Sequence, residues 1–216
     1  MDRRQDNGRS DGNRGGLSRR GFLKGAGVSA ATTVLLDGAL SGMAEAQARA
    51  GEPKVVGPGP VEITLQINGK PRDVKVEPRD TLANVLRDEL DLTGTKVVCD
   101  RGACSACTVF LDGKPVCSCM TLAIDVGKRQ VKTIEGLAQG DKLHPVQEAF
   151  VEHDALQCGF CTPGMVMSCA ALLERNANPT IEDVRHAVRG NICRCGTYPK
   201  VFDATVAAAK MMTKGA

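Results

Sequence analysis

The stretch CDRGACSACTVFLDGKPVCSC, residues 99–119, contains five of the ten cysteines in the chain. The first three, Cys99, Cys104 and Cys107, follow the spacing C-x4-C-x2-C, and the residues between the second and the third are small. A loop that points several sulfur atoms at one centre needs permissive residues, because bulky side chains would block the inward turn. The stretch therefore predicts a metal-binding loop held by thiolates.

Two kinds of centre are compatible with this loop. A C-x4-C-x2-C run with a fourth cysteine further along is typical of plant-type [2Fe–2S] ferredoxins. Four thiolates can also close a tetrahedral zinc site, but structural zinc sites usually take C-x2-C pairs from two knuckles. We therefore expect an iron–sulfur cluster, with zinc as the alternative. For the fourth ligand, Cys117 and Cys119 are both candidates, because two residues of one strand that are two apart share a face.

A second group of cysteines lies downstream, as CGFC at 158–161 and CRC at 193–195. Each pair lies just before a segment with helical spacing, so two helix N-termini can converge on a shared centre. The positive end of a helix dipole favours a negatively charged cluster. We therefore expect a second cluster in this half of the chain.

The residues around the first loop alternate in the manner of strands. We expect a small mixed sheet with strands at 61–67 and 73–77 joined by the turn NGK, a helix at 81–90 capped at Asp80 or Thr81, and a hairpin of CTVFL and PVCSC around the turn DGK. Two hairpins and a helix around a cysteine loop fit a β-grasp ferredoxin. The predicted ferredoxin-like domain spans residues 61–137.

The second half of the chain changes to helical periodicity. Four helices are predicted there, at 145–156, 162–176, 180–190 and 198–212. Two have clear start signals: Pro163 after Thr162, and Thr180 three residues before Asp183 as a capping box. We expect a four-helix bundle over residues 138–216 that carries the second cluster. The predicted fold class is α+β, with the β-grasp domain first.

The N-terminus indicates export. Arg19 and Arg20 lie in the run SRRGFLK, which is followed by a weakly apolar segment and by the small-residue run MAEAQARA. This pattern is typical of a twin-arginine signal peptide, here residues 1–50, with a linker at 51–60. A disordered basic tail is the alternative, but it gives no reason for this order. The apolar segment is short and interrupted by Asp37, so we expect no permanent membrane span.

Export and cysteine content together favour a periplasmic metalloprotein. Ten cysteines in an exported chain would ordinarily predict disulfides. Proteins on the twin-arginine route are exported already folded, so their thiols can take up metal in the reducing cytoplasm. The chain has 216 residues, a net charge of +3 and no basic stripe with interleaved aromatic residues, so we expect no binding of nucleic acid.

Five motifs together resemble one known family. CDRGACSACTV, SCMTLA, TIEGL, QCGFCTPGM and NICRCGTYP are similar to the small [2Fe–2S] subunit of the molybdenum hydroxylases, the xanthine dehydrogenase and aldehyde oxidoreductase family. Val98 and Ser105 stand where the family usually has glycine. CRCGTY, in place of the commoner CRCTGY, resembles bacterial members that act on aldehydes or N-heterocycles. The resemblance covers residues 61 to about 212.

The resemblance implies two [2Fe–2S] clusters and their ligands. The ferredoxin-like domain would use Cys99, Cys104, Cys107 and Cys119, and the bundle would use Cys158, Cys161, Cys193 and Cys195. Of the two candidates for the fourth ligand, the family pattern selects Cys119 over Cys117. The resemblance further implies that Gln157 hydrogen-bonds a pterin in a partner subunit and that Cys195 is the ligand nearest to the pterin amino group.

The resemblance also implies an electron-transfer role without a catalytic residue in this chain. Electrons from a molybdopterin site in a large subunit would pass through the bundle cluster and the ferredoxin cluster to an FAD-binding subunit or a cytochrome. The implied type is a periplasmic aldehyde oxidoreductase, with oxidation of N-heterocycles or of carbon monoxide as alternatives. A free-standing periplasmic electron carrier would leave the second cysteine group unexplained.

Other residues that could carry chemistry have ordinary explanations. His144, His153 and His186 stand apart from one another and from any Cys-x-His pair, so we expect surface or packing roles. Cys169 lies in a predicted helix among apolar residues, where a free thiol behaves as a small buried hydrophobe.

Overall fold

The computed structural model describes residues 56–214. The predicted signal peptide, residues 1–50, and the first half of the predicted linker lie outside the described residues. Along the described part of the chain, no helix combines the length and the apolar composition that a bilayer crossing requires.

A five-stranded mixed sheet is formed by the first half of the described chain. The strands stand in the order β2-β1-β5-β3-β4. Their bounds are Val61–Ile67 for β1, Lys70–Val76 for β2, Thr108–Leu111 for β3, Lys114–Cys117 for β4 and Gln130–Lys132 for β5. β1 and β5 pair in parallel, and the other pairs are antiparallel. The predicted α+β class with a mixed sheet is confirmed.

The first hairpin confirms the bounds of β1, but β2 begins at Lys70 instead of residue 73. The turn contains only Asn68 and Gly69, whose φ angles of 51° and 77° lie in the left-handed region. A two-residue turn of this kind matches the twist of its two strands. Lys70 therefore already pairs with Ile67, and its predicted place in the turn is wrong.

The central strand β5 has no counterpart in the sequence prediction. Of its three residues, only Val131 is buried. Val131 pairs with Ile67 of β1 on one side and with Leu111 of β3 on the other. Three residues are too few for an alternating pattern to be recognised, so this strand is determined by the neighbours between which it lies.

A helix packs on the sheet, and in sequence it lies between the two hairpins. α1, Leu82–Asn84, continues directly as a π-helical turn at Val85–Glu89. Of the two predicted cap residues, Asp80 and Thr81, it is Thr81 whose hydroxyl caps the start, by accepting a hydrogen bond from the N–H three residues on. Leu86 is fully buried and joins the apolar cluster of the sheet. This contact holds the helix over the hairpins.

The helices of the second half occur in the predicted order. They are α3 Pro145–Glu152, α4 Thr162–Leu173, α5 Ile181–Ala187 and α6 Tyr198–Lys214. Both start signals are confirmed, because Pro163 lies in the first turn of α4, and Thr180 and Asp183 form a capping box at α5. Three short helical elements were not predicted: a 3-10 helix at Ser118–Met120, α2 at Ala123–Val126 and a 3-10 helix at Ile134–Gly136.

Three of the helices end earlier than predicted. α3, α4 and α5 end at Glu152, Leu173 and Ala187. After α3 the chain turns at Asp154, whose φ of 51° lies in the left-handed region and cannot continue a right-handed helix. The shorter α3 leaves a loop in front of α4, and this loop contains one of the cysteine pairs.

The helices and the sheet share an apolar cluster. Phe150 of α3, Met165 of α4 and Phe110 of β3 are buried in it. The closest approach of backbones occurs at Gly164 in α4, where a Cβ would lie 2.2 Å from the Ser105 carbonyl oxygen. The two halves of the described chain are thus packed directly against each other at the first cysteine loop.

Candidate metal centres

The first cysteine loop is built from backbone in the left-handed region. Asp100, Gly102 and Ser105 have φ angles of 50°, 70° and 54°. These turns bring peptide N–H groups towards the sulfur atoms, and the N–H of Ala103 donates to Cys99 Sγ at 3.3 Å. Hydrogen bonds to ligand sulfurs orient and stabilise cluster thiolates. The loop therefore has the local backbone that a cluster requires.

The sequence predicts a single strand through Cys117 and Cys119, and this prediction is wrong. β4 ends at Cys117, and Ser118–Met120 form a 3-10 helix. Ser118 is still bonded to the neighbouring segment, since its hydroxyl and N–H donate to the Cys107 carbonyl oxygen at 2.7 and 3.3 Å. The chain then turns, because the Thr121 N–H and hydroxyl donate back to the Ser118 and Cys117 carbonyl oxygens, at 3.3 and 3.2 Å. Cys117 and Cys119 therefore do not share a strand face.

The backbone of Gly102 distinguishes the two candidates for the fourth ligand. Its N–H donates to Cys119 Sγ at 3.4 Å, whereas its carbonyl oxygen lies 4.0 Å from Cys117 Sγ. A cluster ligand is a thiolate, which accepts hydrogen bonds and has no proton to donate. The N–H suits a ligand, and the carbonyl oxygen suits a protonated thiol. This contrast supports the prediction of Cys119 over Cys117.

The predicted ligands of the first site lie close enough to one another to shift each other's pKa. The N–H of Arg101 lowers the pKa of the Cys99 thiol to about 7, and the Cys104 thiol acts in the same direction. Burial raises the pKa of Cys119 to about 12, and the Cys107 thiol adds to the increase. Cys99 thus interacts with Cys104, and Cys107 interacts with both Cys119 and Cys117. Three of the four side chains are buried, and Cys99 is partly exposed.

The second site takes its thiols from two separate segments. Cys158 lies in the loop after α3, and Cys161 is the N-cap residue of α4. Cys193 and Cys195 lie in the loop before α6. The sequence prediction that both cysteine segments precede helices is confirmed, and the positive end of the α4 dipole lies at Cys161. Cys158 is exposed and the other three thiols are partly exposed.

The thiols of the second site interact as Cys161 with Cys193 and Cys158 with Cys195. Burial raises the pKa of Cys161 to about 12, and the Cys193 thiol adds to the increase. The N–H of Phe160 lowers the pKa of Cys158, and the Cys195 thiol acts in the same direction. Cysteines bind metal as thiolates, so uptake of metal here has to release protons.

Hydrogen bonds surround Cys193 on both its backbone and its sulfur. The Cys193 N–H donates to Tyr198 Oη at 2.8 Å, and the tyrosine hydroxyl donates to the Asn191 carbonyl oxygen at 2.9 Å. Thr197 Oγ1 lies 3.3 Å from Cys193 Sγ. Burial would raise the pKa of Cys193, but the hydroxyl and the N–H of Thr197 lower it to about 7. Sequence reasoning missed these three neighbours, because spacing does not show which polar side chains a folded loop buries.

The two cysteine loops are in direct contact. The Ile192 N–H donates to the Cys104 carbonyl oxygen at 3.1 Å, and Asn191 Nδ2 donates to the Ser105 carbonyl oxygen at 3.2 Å. Ile192 immediately precedes Cys193 in the chain. One hydrogen bond therefore links a predicted ligand of the first site to the residue next to a predicted ligand of the second.

The donor sets fit two [2Fe–2S] clusters. Such a cluster has two irons, and four cysteine thiolates complete their coordination. Each site brings four thiols close together, and in the first site peptide N–H groups are directed at sulfur. Within residues 56–214, no group of three or more cysteine, histidine or acidic side chains is placed to hold a single metal ion. The assignment of the individual ligands stays a prediction.

Three other residues that the sequence analysis considered have defined positions. Gln157 is exposed in the loop after α3, and its contact with a pterin stays a prediction. His144 caps α3, since its Nδ1 accepts a hydrogen bond from the Val146 N–H at 3.2 Å, and burial lowers its pKa. Cys169 is buried, as predicted, and its sulfur lies 3.1 Å from Thr205 Oγ1.

Family models match both halves of the chain and its N-terminus. A 2Fe-2S iron-sulfur cluster binding domain matches residues 65–136, and a [2Fe-2S] binding domain matches residues 133–206. The signal sequence of the twin-arginine translocation pathway matches residues 16–35. The predictions of two clusters and of periplasmic export by this route are confirmed. The division into domains at 61–137 and 138–216 stays a prediction.

Curated relatives cover most of the chain. The nicotine 6-hydroxylase small subunit of Paenarthrobacter nicotinovorans is 49% identical over 148 residues, which are 68% of this chain and 89% of that protein. The aldehyde oxidoreductase iron-sulfur-binding subunit PaoA of Escherichia coli K12 is 36% identical over 208 residues, which are 89% of this chain and 88% of that protein.

Solved structures have the same fold. Quinoline 2-oxidoreductase from Pseudomonas putida 86 matches with a TM-score of 0.69 and 44% identity, over 72% of this chain and 98% of that one. Aldehyde oxidoreductase from Desulfovibrio gigas matches with a TM-score of 0.68 and 42% identity, over 72% of this chain and 18% of that one. The chain therefore belongs to the family of small iron–sulfur subunits of the molybdenum hydroxylases and carries electrons in such a complex.

Proposed function

We propose that this chain accepts electrons from the molybdenum site of a large partner subunit at its second cysteine site and passes them through its first site to an acceptor. The clusters, when bound, supply two one-electron carriers in series. The proposal depends most on the hydrogen bond from the Ile192 N–H to the Cys104 carbonyl oxygen, because it joins the two sites through neighbouring backbone. This chain holds the clusters and shields them, and it supplies no catalytic group.

The proposed ligands are eight cysteines, four at each site. They are Cys99, Cys104, Cys107 and Cys119 at the first site, and Cys158, Cys161, Cys193 and Cys195 at the second. The N–H of Gly102, directed at Cys119 Sγ, supports Cys119 as the fourth ligand of the first site. Cys117 and Cys169 then remain free thiols.

The order of electron transfer is supported by the exposure of the two sites. An external donor has to approach a cluster closely, because transfer slows steeply with distance. The second site has the exposed thiol Cys158 beside the exposed Gln157, whereas three thiols of the first site are buried. We therefore place the large subunit at the second site, with Gln157 and Cys195 facing its pterin.

The acceptor is proposed to dock at the first site. Val98 and Met120 precede and follow the outer ligands of that site, and 58% and 64% of their surfaces are exposed. Exposed apolar side chains of this kind mark contact surfaces for a partner. An FAD-binding subunit is our first choice for that partner, and a cytochrome is the alternative.

The substrate class is proposed from the relatives. The subunit named for aldehyde oxidoreductase aligns over 89% of this chain, whereas the subunit named for nicotine 6-hydroxylase aligns over 68% with higher identity. The more extensive alignment favours an aldehyde as the substrate of the large subunit. The higher identity keeps an N-heterocycle as the second candidate.

Substrate-dependent reduction of the purified complex tests this function. An aldehyde should reduce both clusters, which EPR resolves as two signals, while nicotine or nicotinate should not. Reduction by the N-heterocycles alone would select the second candidate. A complex with fewer than about four irons per copy of this chain would contradict the two-cluster assignment.

Two variants test the order of the sites. In Cys193→Ala the second cluster should be lost, and substrate should no longer reduce the first cluster rapidly. In Cys119→Ser the first cluster should be lost, and substrate should still reduce the second. Rapid reduction of the first cluster in Cys193→Ala would reverse the proposed order.

A third variant tests the contact with the partner's pterin. Gln157→Ala should keep both clusters and slow their reduction by substrate, because the side chain is exposed and contributes no ligand. Gln139→Ala is the matched control at another exposed glutamine. Equal reduction rates in the two variants would remove Gln157 from the electron-entry site.

A further inference from the structure

Thr197 is a buried polar residue beside the second site. It is 4% exposed and lies in the loop directly before α6. A buried hydroxyl needs a hydrogen-bond partner, because leaving it unpaired costs stability. Within the described residues, the partner of Thr197 Oγ1 is Cys193 Sγ, at 3.3 Å.

The direction of this hydrogen bond follows from the proposed role of Cys193. A threonine hydroxyl can donate or accept, and a thiol can do either weakly. A cluster-bound cysteine is a thiolate and has no proton to donate. With metal bound, the hydroxyl of Thr197 therefore has to be the donor and the sulfur the acceptor.

A donor at a ligand sulfur acts differently on the two redox states of a cluster. One-electron reduction adds a negative charge, part of which resides on the ligand sulfurs. A hydrogen bond to that sulfur stabilises the reduced state more than the oxidised state, and a buried position strengthens the effect. The hydroxyl therefore raises the reduction potential of the cluster to which Cys193 belongs.

The loop does not depend on the Thr197 hydroxyl for its shape. Tyr198 Oη accepts from the Cys193 N–H and donates to the Asn191 carbonyl oxygen, so it holds both ends of the turn. The first turn of α6 uses the backbone carbonyl of Thr197, which accepts from the Val201 N–H at 3.1 Å. The side-chain hydroxyl is thus available for the sulfur.

We propose that Thr197 is a positioning residue that raises the reduction potential of the second cluster by donating a hydrogen bond to Cys193 Sγ. The inference rests on the proposed function, in which Cys193 is a ligand of the cluster that receives electrons first. A higher potential at this site favours electron entry from the large subunit and lowers the driving force for transfer to the first cluster.

The molecule contains a matched control for this contact. Thr205 Oγ1 lies 3.1 Å from Cys169 Sγ, and both residues are fully buried, while the hydroxyl proton is directed to the Val201 carbonyl oxygen at 2.7 Å. This is the same pair of residue types, but Cys169 belongs to neither set of proposed ligands. Replacing Thr205 removes a threonine–cysteine contact without changing a cluster ligand.

EPR-monitored redox titration of the purified complex tests the proposal. Thr197→Val keeps the side-chain volume and removes the donor. At a fixed potential, the ratio of reduced to oxidised cluster should therefore fall about tenfold for one of the two clusters. This corresponds to a reduction potential lowered by about 59 mV for a one-electron couple. The other cluster should be unchanged. Thr197→Ser should restore the wild-type value, and Thr205→Val should leave both potentials at the wild-type values.

Each outcome decides the proposal. Two wild-type potentials in Thr197→Val with both clusters present would overturn it. Loss of the cluster in both Thr197→Val and Thr197→Ala, with retention in Thr197→Ser, would assign the hydroxyl to holding the loop and would also overturn it. Failure of the proposed function is seen separately, because Cys193→Ala would then keep its full iron content.

Discussion

The two metal sites differ in how far apart their thiols lie along the chain. The first site takes all four predicted ligands from residues 99–119. The second takes two from 158–161 and two from 193–195, with α4 and α5 between them. A single loop can approach its final shape through its own turns, whereas the second site exists only after the helices have packed. The first site is therefore a local feature, and the second depends on the whole fold.

The sites also differ in the backbone that forms them. The first loop places Ser105 in the left-handed region, which costs a residue with a side chain about 1 kcal/mol. The second site uses Gly159 and Gly196, with φ angles of 81° and 80°. Glycine adopts this conformation without a steric penalty. The local site thus contains backbone strain that the assembled site avoids.

The largest effect is expected from a substitution that removes the first cluster alone. Cys119→Ser should abolish the first cluster and leave the second, because a hard oxygen is a poor substitute for a thiolate at iron. The measurement is iron content together with EPR of the reduced protein, which should lose one of its two signals.

Cys117→Ser is the matched control for this substitution. It should keep both clusters, since Cys117 faces the Gly102 carbonyl oxygen instead of the N–H. Loss of a signal in Cys117→Ser and retention in Cys119→Ser would reverse the assignment of the fourth ligand.

The next largest effect is a loss of stability, caused by a steric clash between the two halves of the described chain. A Cβ at residue 164 would lie 2.2 Å from the Ser105 carbonyl oxygen and 3.0 Å from Ala106 Cα. Gly164→Ala should therefore destabilise the protein by about 3 kcal/mol. The thermal unfolding midpoint should fall by roughly 6–12 °C. Gly59→Ala is the control, because nothing lies within 4 Å of a Cβ there, and equal midpoints would contradict the clash.

A smaller effect tests the hydrogen bond between the loops. Asn191 is 3% exposed, and its Nδ2 donates to the Ser105 carbonyl oxygen. Asn191→Ala should cost about 1.5 kcal/mol, because it removes one hydrogen bond of a carbonyl oxygen that keeps its bonds from the Thr108 hydroxyl and N–H. Thermal unfolding measures the loss, and Asn178→Ala, at an exposed asparagine, should show none. An unchanged midpoint in Asn191→Ala would mean that this bond does not help to join the sites.

The smallest expected effect is a gain in stability, in contrast to the losses expected above. Ser105→Gly should stabilise the protein by up to about 1 kcal/mol, because glycine relieves the strain at φ 54°. The same substitution at Ser168, within α4, should destabilise by about 0.5 kcal/mol through the low helix propensity of glycine. Thermal unfolding of both variants measures the difference, and destabilisation of equal size at both positions would refute strain in the first loop.

Part of the fold was predictable because its signals lie within a few residues. Strand β1 has the bounds that its alternation predicts, and the Thr180–Asp183 capping box starts α5 as expected. The cysteine pairs precede α4 and α6, as the change to helical spacing predicts. In each case the deciding contacts are between residues close in sequence, which a single chain displays directly.

Other elements could not be predicted in this way. Strand β5 has three residues and is held by pairing with β1 and β3, which lie far from it in the chain. The turn that ends β4 is fixed to the distant start of α1, where the Leu82 N–H donates to the Thr121 carbonyl oxygen at 2.7 Å. Both features are set by partners whose positions the local pattern does not contain.

The sequence by itself determined the chemistry of this protein. Cysteine spacing, helix start signals and the twin-arginine run are local patterns, and together they indicate two iron–sulfur sites in an exported α+β chain. The tertiary structure alone decided which groups face each sulfur. The Gly102 N–H meets Cys119, the Thr197 hydroxyl meets Cys193, and the Ile192 N–H joins the two loops. The physical reason is that hydrogen bonds depend on distance and direction between groups that only folding brings together.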